Sequence, residues 1–378
     1  MLLLIPGPVA TRPEVRAALA QDIAPWDPSF RPLYAEVRHR IAAIANCGTD
    51  AHAVLPLQGC GHFAVEAAIR TLVPLGGKML IPMTGSYAER MARLAREAGR
   101  AVVELPTPAE TPVDPADVAR ALAADAEIGH VGQVYSETSS GVVHDPLAIG
   151  AVARAAGRRV LLDAVSAFGA LPLDLSLHPE IDAAVFTANK CLEGVPGVAF
   201  VLARTQAITE GAGRAGSWSF DLHDIYQHAV RDNWGSYRFT PPAQVIAALR
   251  TALRLHEAEG GRAVRLARYR TNADALYEGM LSIGLTPYLA RAVQGPIVLN
   301  VHAPSDPAWS LQGFVDVLKA RGFLISNFFN TAAPSFRVGC IGAIAPEDMR
   351  RFTRAADSAL ASLGVRNRAP AGPFQPGQ

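Results

Sequence analysis

Two charged residues stand where a soluble α/β chain can least accommodate them. The apolar run Ala183 to Thr187 leads directly into Ala188-Asn189-Lys190 and then into Cys191-Leu-Glu-Gly-Val-Pro-Gly197, so Lys190 sits where a buried strand leaves its sheet. An arbitrary lysine at a strand end is usually a solvated cation. One that attacks a carbonyl must instead reach its neutral amine, and lowering a lysine pKa from about 10.4 to near 7 costs on the order of 4 to 5 kcal/mol. Burial can supply that shift; a wet surface cannot. Upstream, Val160-Leu-Leu-Asp163-Ala-Val165-Ser-Ala-Phe-Gly169 places a carboxylate at the C-terminal end of a second buried strand, the edge where open α/β sheets bind ligands. A bare aspartate there is costly unless paired. One suitable partner is a protonated pyridine nitrogen, the arrangement by which proteins strengthen pyridoxal phosphate as an electron sink. Asp163 alone reads equally as a loop or helix-capping residue, and Lys190 beside it turns the pair toward Schiff-base chemistry.

Three further strand ends carry fitting groups. Pro56-Leu-Gln-Gly59-Cys60-Gly61-His62-Phe-Ala-Val-Glu66 is a glycine-punctuated loop that opens a helix, whose free N–H groups and dipole favour an anion such as a phosphate. The same loop could simply change chain direction. It is not the dinucleotide fingerprint, because the third glycine is absent and no acidic residue follows at the required distance. Thr84-Gly-Ser-Tyr87 offers an aromatic ring that could stack on a planar cofactor or merely cap the core. Ser136-Glu-Thr138-Ser-Ser-Gly141 offers hydroxyls.

The elements that position these groups alternate between about residues 60 and 205. Strands are expected at Met79 to Met83, Ala101 to Leu105, His130 to Tyr135, Val160 to Asp163, Ala183 to Thr187 and Val198 to Leu202. Helices are expected at Ala88 to Ala98, Pro115 to Ala124 and Leu147 to Ala156, where apolar residues recur at three and four spacing. This is how parallel βαβ units read, and it predicts an α/β, doubly wound, mostly parallel sheet. After Pro241-Pro242 the texture changes to one long helical stretch, Ala243 to Ile283. Strands at Ile297 to His302, Phe323 to Ser326 and Phe336 to Ile341 follow, with helices Leu311 to Ala320 and Pro346 to Leu363, a smaller α+β arrangement. The expected division is an N-terminal segment 1–15 packing with the small domain, a large cofactor-binding domain 16–242, a small C-terminal domain 243–366 and a flexible tail 367–378.

Composition excludes several classes. With 378 residues, 50% hydrophobic and 18% charged, the chain can fill a large core. Lys+Arg 35 against Asp+Glu 34 supplies no basic field, so nucleic acid is not an expected partner. The cysteines at 47, 60, 191 and 340 form no C-x-x-C pair and suggest neither a disulfide framework nor a metal site. Met1 to Ile5 has no basic flank and is broken at once by Pro6-Gly7-Pro8, so no membrane association is expected and a cytoplasmic location is.

Read together, these residues resemble the class V, fold type I, pyridoxal-phosphate aminotransferases. The resemblance runs from Leu4-Ile-Pro-Gly-Pro8 to Phe336-Arg337-Val-Gly339. Pro25-Trp26-Asp27, Asp163-Ala-Val-Ser-Ala-Phe-Gly169, Ala188-Asn-Lys190-Cys-Leu-Glu-Gly and Tyr237-Arg-Phe-Thr240-Pro are similar to the members that move an amino group from 2-aminoethylphosphonate to pyruvate. The resemblance implies Lys190 as the cofactor-bonding lysine and proton shuttle, and Asp163 as partner of the ring nitrogen. It implies Val165 below the ring and Tyr87 above it, Cys60, Gly61 and His62 at the phosphate, Thr138 near the ring oxygen, and Asn189 beside the lysine. Tyr237 and Thr240 would reach the phosphate of a neighbouring subunit, making a homodimer with shared sites. Arg337 would bind the substrate's acid, with Trp26 also at the substrate. Cys60 and His62 depart from the small hydroxyls of the phosphonate group, and Ser326 to Ser335 lacks its Tyr-Pro-Gly-Lys pattern. Transfer from alanine or serine to glyoxylate or pyruvate, or action on another phosphonate, is therefore the alternative. Cysteine desulfuration would need a mobile thiol, whereas Cys191 and Cys340 read as buried. A cofactor-binding regulator would need a DNA-reading module, and no basic helix-turn-helix is expected from this sequence.

Overall fold

The computed structural model describes residues 1–235 and 237–370. Its strands are β1 (Leu2–Leu3), β2 (His52–Gly59), β3 (Lys78–Met83), β4 (Ala101–Pro106), β5 (Ile128–Val134), β6 (Arg159–Asp163), β7 (Ile181–Thr187), β8 (Gly197–Arg204), β9 (Val298–His302), β10 (Phe323–Leu324) and β11 (Ser335–Gly339). Seven of them form one sheet in the order β2-β8-β7-β6-β5-β3-β4. The neighbours from β7 to β4 run parallel, while β8 is antiparallel to both β7 and β2.

The fold class is the one the alternating pattern predicts, and the six strands expected between residues 79 and 202 all form with ends shifted by a residue or two. Two features differ. β2 lies where only a loop was anticipated, and β8 reverses direction. The chain from Ala188 to Pro196 is shorter than the roughly dozen residues a parallel crossover needs, so β8 must fold back beside β7.

Alternation along each strand fills both faces of the sheet. In β6 and β7, Leu161 and Val185 join the core under helices Gly61–Leu72 and Ser86–Glu97. Their neighbours Leu162 and Phe186 join the core under helices Phe30–Ile44, Pro146–Ala155 and Ala243–Glu259. Phe168 stacks on Phe186 at 3.7 Å between centroids.

The stretch expected as one helix from Ala243 to Ile283 is two, Ala243–Glu259 and Gly261–Ser282. Gly260 has φ +113°, a left-handed conformation that closes the first helix. The first helix buries Ile246, Leu249 and Leu253 against the large sheet, whereas the second sends Leu276 and Met280 into a separate core with Phe314, Phe336 and Phe352. Around that second core, β9 pairs antiparallel with β11, and β1 pairs with β10, which stitches the N-terminal segment to this part of the molecule. Residues 367–370, expected as the start of a free tail, are tied down instead. Asn367 N–H donates to Asp306, and Ser305 N–H donates to the Ala369 carbonyl. The rest of that expected tail, 371–378, lies outside the described residues. Among the described residues no helix is long and apolar enough to cross a membrane.

A Cβ on Gly260 would lie 2.6 Å from Val264 Cγ2 in addition to the positive φ. Gly260→Ala is expected to lower unfolding stability by about 1 to 2 kcal/mol. Gly48→Ala, where no atom lies within 4 Å of the added carbon, serves as the control. Equal urea midpoints for the two variants would show that the break is not set by Gly260.

Candidate active site

Because β5, β6 and β7 are parallel, the residues that follow them emerge at one edge of the sheet. A cavity of about 230 Å³ opens there between the ends of β6 and β7 and the starts of helices Gly61–Leu72 and Ser86–Glu97. Asp163, Val165, Asn189 and Lys190 line it from the strand side, and Cys60, Gly61, His62 and Tyr87 from the helix side.

Lys190 is 8% exposed. It is held by a tight turn in which Glu193 N–H donates to the Lys190 carbonyl at 2.9 Å and Gly194 N–H to the Ala188 carbonyl at 2.8 Å. Burial lowers its amine to about 8, with the Arg337 and Arg90 charges acting in the same direction. Asp163 and Lys190 differ in the sign of their shifts for one reason, since burial disfavours both charged forms. The Asp163 carboxyl is pushed up to about 6 by burial, opposed by the Val165 N–H it accepts at 2.9 Å and reinforced by Glu137. Glu137 is fully buried, and its carboxyl is raised by burial. It accepts the Ser139 N–H at 3.1 Å and the Thr84 hydroxyl at 3.5 Å.

The residues fit a small planar ring bearing one phosphate. Gly61 leaves no room for a side chain, because a Cβ there would lie 2.5 Å from Val165 Cγ2. The backbone that starts the helix is thereby pressed onto the cavity wall. No side chain caps this helix start and its first turn holds no acid, which leaves the terminal N–H groups for an anion. Asp163 presents a carboxylate to a ring cation and Lys190 an amine to a carbonyl.

Arg337, on β11, is 4% exposed and lines a neighbouring cavity of about 390 Å³ with Ser326 and Phe328. Its Nε donates to Ser326 Oγ at 3.2 Å and its Nη1 to the Thr138 carbonyl at 3.4 Å, with the guanidinium 4.5 Å from the Phe328 ring centroid. It has no carboxylate partner among the described residues. Gly7 lines both cavities, and a Cβ on it would lie 2.6 Å from Lys190 Cδ.

Not every expected residue converges here. Thr138 is buried beside the cavity, its hydroxyl 2.7 Å from Ser166 Oγ. Trp26 is 81% exposed and lines neither cavity. Tyr237 and Thr240 line a separate cleft of about 170 Å³ with Gln58 and Phe239. The Tyr237 hydroxyl is buried there without a hydrogen-bond partner. Gly7, Arg90, Glu137 and Thr187 were missed by sequence reasoning. Lys78, Lys190 and Lys319 are the only lysines among 35 basic residues, and of these Lys190 is the buried one. The thiols of Cys191 and Cys340 are buried and pushed up to about 12, which suits packing rather than nucleophilic attack.

The profile of the family Aminotransferase class-V matches residues 27–306. A 2-aminoethylphosphonate--pyruvate transaminase of Pseudomonas fluorescens (strain Pf0-1) is 42% identical over 96% of this chain and 98% of its own. One from Burkholderia ambifaria (strain MC40-6) is 43% identical over 96% of each. Among solved structures, ureidoglycine-glyoxylate aminotransferase from Bacillus subtilis superposes with a TM-score of 0.87 at 24% identity, covering 97% of this chain and 94% of that one. It shares the fold.

The lowered Lys190 amine has a direct readout. It is neutral above about pH 8 and charged below, whereas Lys78, paired with Asp125 and Glu127, is held above its ordinary value. In cofactor-free protein, reductive methylation of Lys190 followed by peptide mass spectrometry is expected to rise with a midpoint near pH 8. A midpoint no lower than that of Lys78 would contradict the buried-amine assignment.

Proposed function

The chain belongs to the class V aminotransferases, and from that premise we propose that it carries pyridoxal 5'-phosphate and moves the amino group of 2-aminoethylphosphonate to pyruvate. The observation that carries the reading is the combination, across Gly7, of a neutralisable lysine with a buried arginine that has no carboxylate partner. The names of relatives at 42 to 43% identity supply the choice of donor and acceptor.

When bound, the cofactor supplies an electron sink for the electrons released at the amine-bearing carbon. The protein's residues do the rest. Lys190 Nζ, neutral at mildly alkaline pH, takes a proton from the donor's amine-bearing carbon and delivers one to the acceptor's carbon. Asp163 would hold a positive charge on the cofactor ring nitrogen, and that cation would offset the burial cost that raises its carboxyl. The N–H groups at the start of helix Gly61–Leu72 would take the phosphate, with Cys60 and His62 beside it. Val165 and Tyr87 would flank the ring, Asn189 lines the cavity beside the lysine, and Thr138 supports Arg337 through its carbonyl. Arg337 pairs with the acidic group of donor and acceptor in turn.

Assembly follows from the residues left outside the cavity. Phe63, Trp218 and Phe239 are exposed aromatics near the Tyr237 cleft, with Trp218 and Phe239 5.0 Å apart. We assign this face to a homodimer in which Tyr237 and Thr240 reach the partner's phosphate site and Trp26 lies near the substrate. Sedimentation should give a dimer, and a fully active monomer at high dilution would remove that assignment.

The test of function is a coupled assay with 2-aminoethylphosphonate, alanine and serine as donors and with pyruvate and glyoxylate as acceptors. The phosphonate with pyruvate is expected to have the highest kcat/KM. The purified protein should be yellow, and borohydride should fix the cofactor to Lys190. A soluble Lys190→Ala protein should lose turnover, and full turnover by that variant would overturn the mechanism.

A further inference from the structure

We propose that Arg90 is the residue that selects a phosphonate over a carboxylate, by supplying the second guanidinium that a doubly charged acid requires. The inference rests on the substrate reading above and assigns within it a role to a residue that neither motif nor spacing singled out.

Helix Ser86–Glu97 carries three arginines on successive turns. Arg93 pairs with Glu97 and Arg96 with Glu104. Arg90 has no carboxylate partner among the described residues. Its guanidinium instead rests 4.8 Å from the centroid of the Tyr87 ring, and the residue lines the Lys190 cavity. The helix start that aims it is fastened from below. Gly85 presses on the buried pair Ser139 and Glu137, where a Cβ would lie 2.4 Å from Ser139 Oγ and 2.8 Å from Glu137 Cδ. Arg90 is thus an exposed arginine at the mouth of the cavity, solvated rather than paired with a carboxylate, so its charge is available to a ligand that enters.

Arg337 alone is poorly supplied for a phosphonate. Its Nε and one Nη1 hydrogen are already engaged by Ser326 and the Thr138 carbonyl. What remains suits a carboxylate, with two oxygens and one charge. A phosphonate brings three oxygens and, at mildly alkaline pH, close to two charges. Lys190 must be neutral to move protons, so it cannot serve as the second cation, and Arg90, whose N–H donors make no hydrogen bond among the described residues, can. The charges of Arg90 and Arg337 also act on each other and on Tyr87, which places all three around one opening.

The experiment uses the holoenzyme and two donors that differ only in their acid, 2-aminoethylphosphonate and β-alanine. Arg90→Gln is expected to lower the ratio of their kcat/KM values by about 10- to 100-fold, the loss of one or two charge-assisted hydrogen bonds. Arg90→Lys should recover part of it, and Arg93→Gln should leave it unchanged. Calorimetric binding of ethylphosphonate and of its singly charged monomethyl ester gives a readout independent of turnover. The parent protein should prefer the dianion, and Arg90→Gln should bind the two alike. A parent enzyme that uses alanine or serine but not the phosphonate would overturn the substrate reading. A parent that uses the phosphonate while yellow, soluble Arg90→Gln keeps both preferences would overturn the Arg90 assignment alone. Should Arg90→Gln fail to take up cofactor, Arg90→Lys decides by the same two ratios, and parental ratios there overturn the assignment.

Discussion

Removing one amine from water is the constraint on which the rest of this structure depends. Taking Lys190 from its ordinary value to about 8 is a desolvation cost of about 3 kcal/mol. That is a large share of the stability a domain of this kind retains. The cost is tolerated because the lysine belongs to a turn that cannot easily open. A β-hairpin-like return from β7 to β8 holds it, and the apolar strands on both sides are fully covered by helices.

The turn is braced from beneath by charges that come from the other half of the molecule. Arg265 donates to the Cys191 carbonyl at 2.7 Å, and Tyr269 donates to Glu193 at 2.8 Å. Arg268 pairs with Glu193 at 2.6 Å and also donates to the carbonyls of Gly342 and Ile344. Glu193 itself has φ +56°, a left-handed conformation that a non-glycine residue keeps only when its surroundings enforce it. This network joins the lysine turn to helix Gly261–Ser282 and to the chain that leaves β11. The Lys190 amine and the strand that carries Arg337 are therefore fixed to a common frame, as the proposed transfer requires.

The N-terminal segment completes the enclosure. β1 is held by β10, Leu4 accepts the Gly339 N–H at 2.8 Å, and Gly7 then lies against the lysine side chain. The same few residues thus touch the small core, the arginine strand and the lysine. Glycine at position 7 is required by contact as well as by its φ of +152°, since any side chain would occupy the space of the lysine's own methylenes.

Local chemistry made much of this legible in the sequence. The strands around the cavity are continuous apolar runs because they are buried on both faces, and a charge at the exit of such a run stands out against it. Lys190 and Asp163 are visible for that reason, as is the loop Gly59-Cys60-Gly61, whose glycines answer to local backbone needs. The short turn that reverses β8 and the two glycines that break the helical pattern at Gly260 stand in the sequence as well. Tertiary structure alone decided the rest. Arg90, Gly7 and Glu137 acquire their places only from segments far away in the chain. Arg93 finds Glu97 four residues along its own helix, but only the fold brings Arg96 to Glu104 on β4 and sets Arg90 at the cavity with no carboxylate beside it. A sequence pattern reports how each residue meets its own local environment, while a binding site is built from through-space contacts between distant segments, and only packing determines which of those contacts exist.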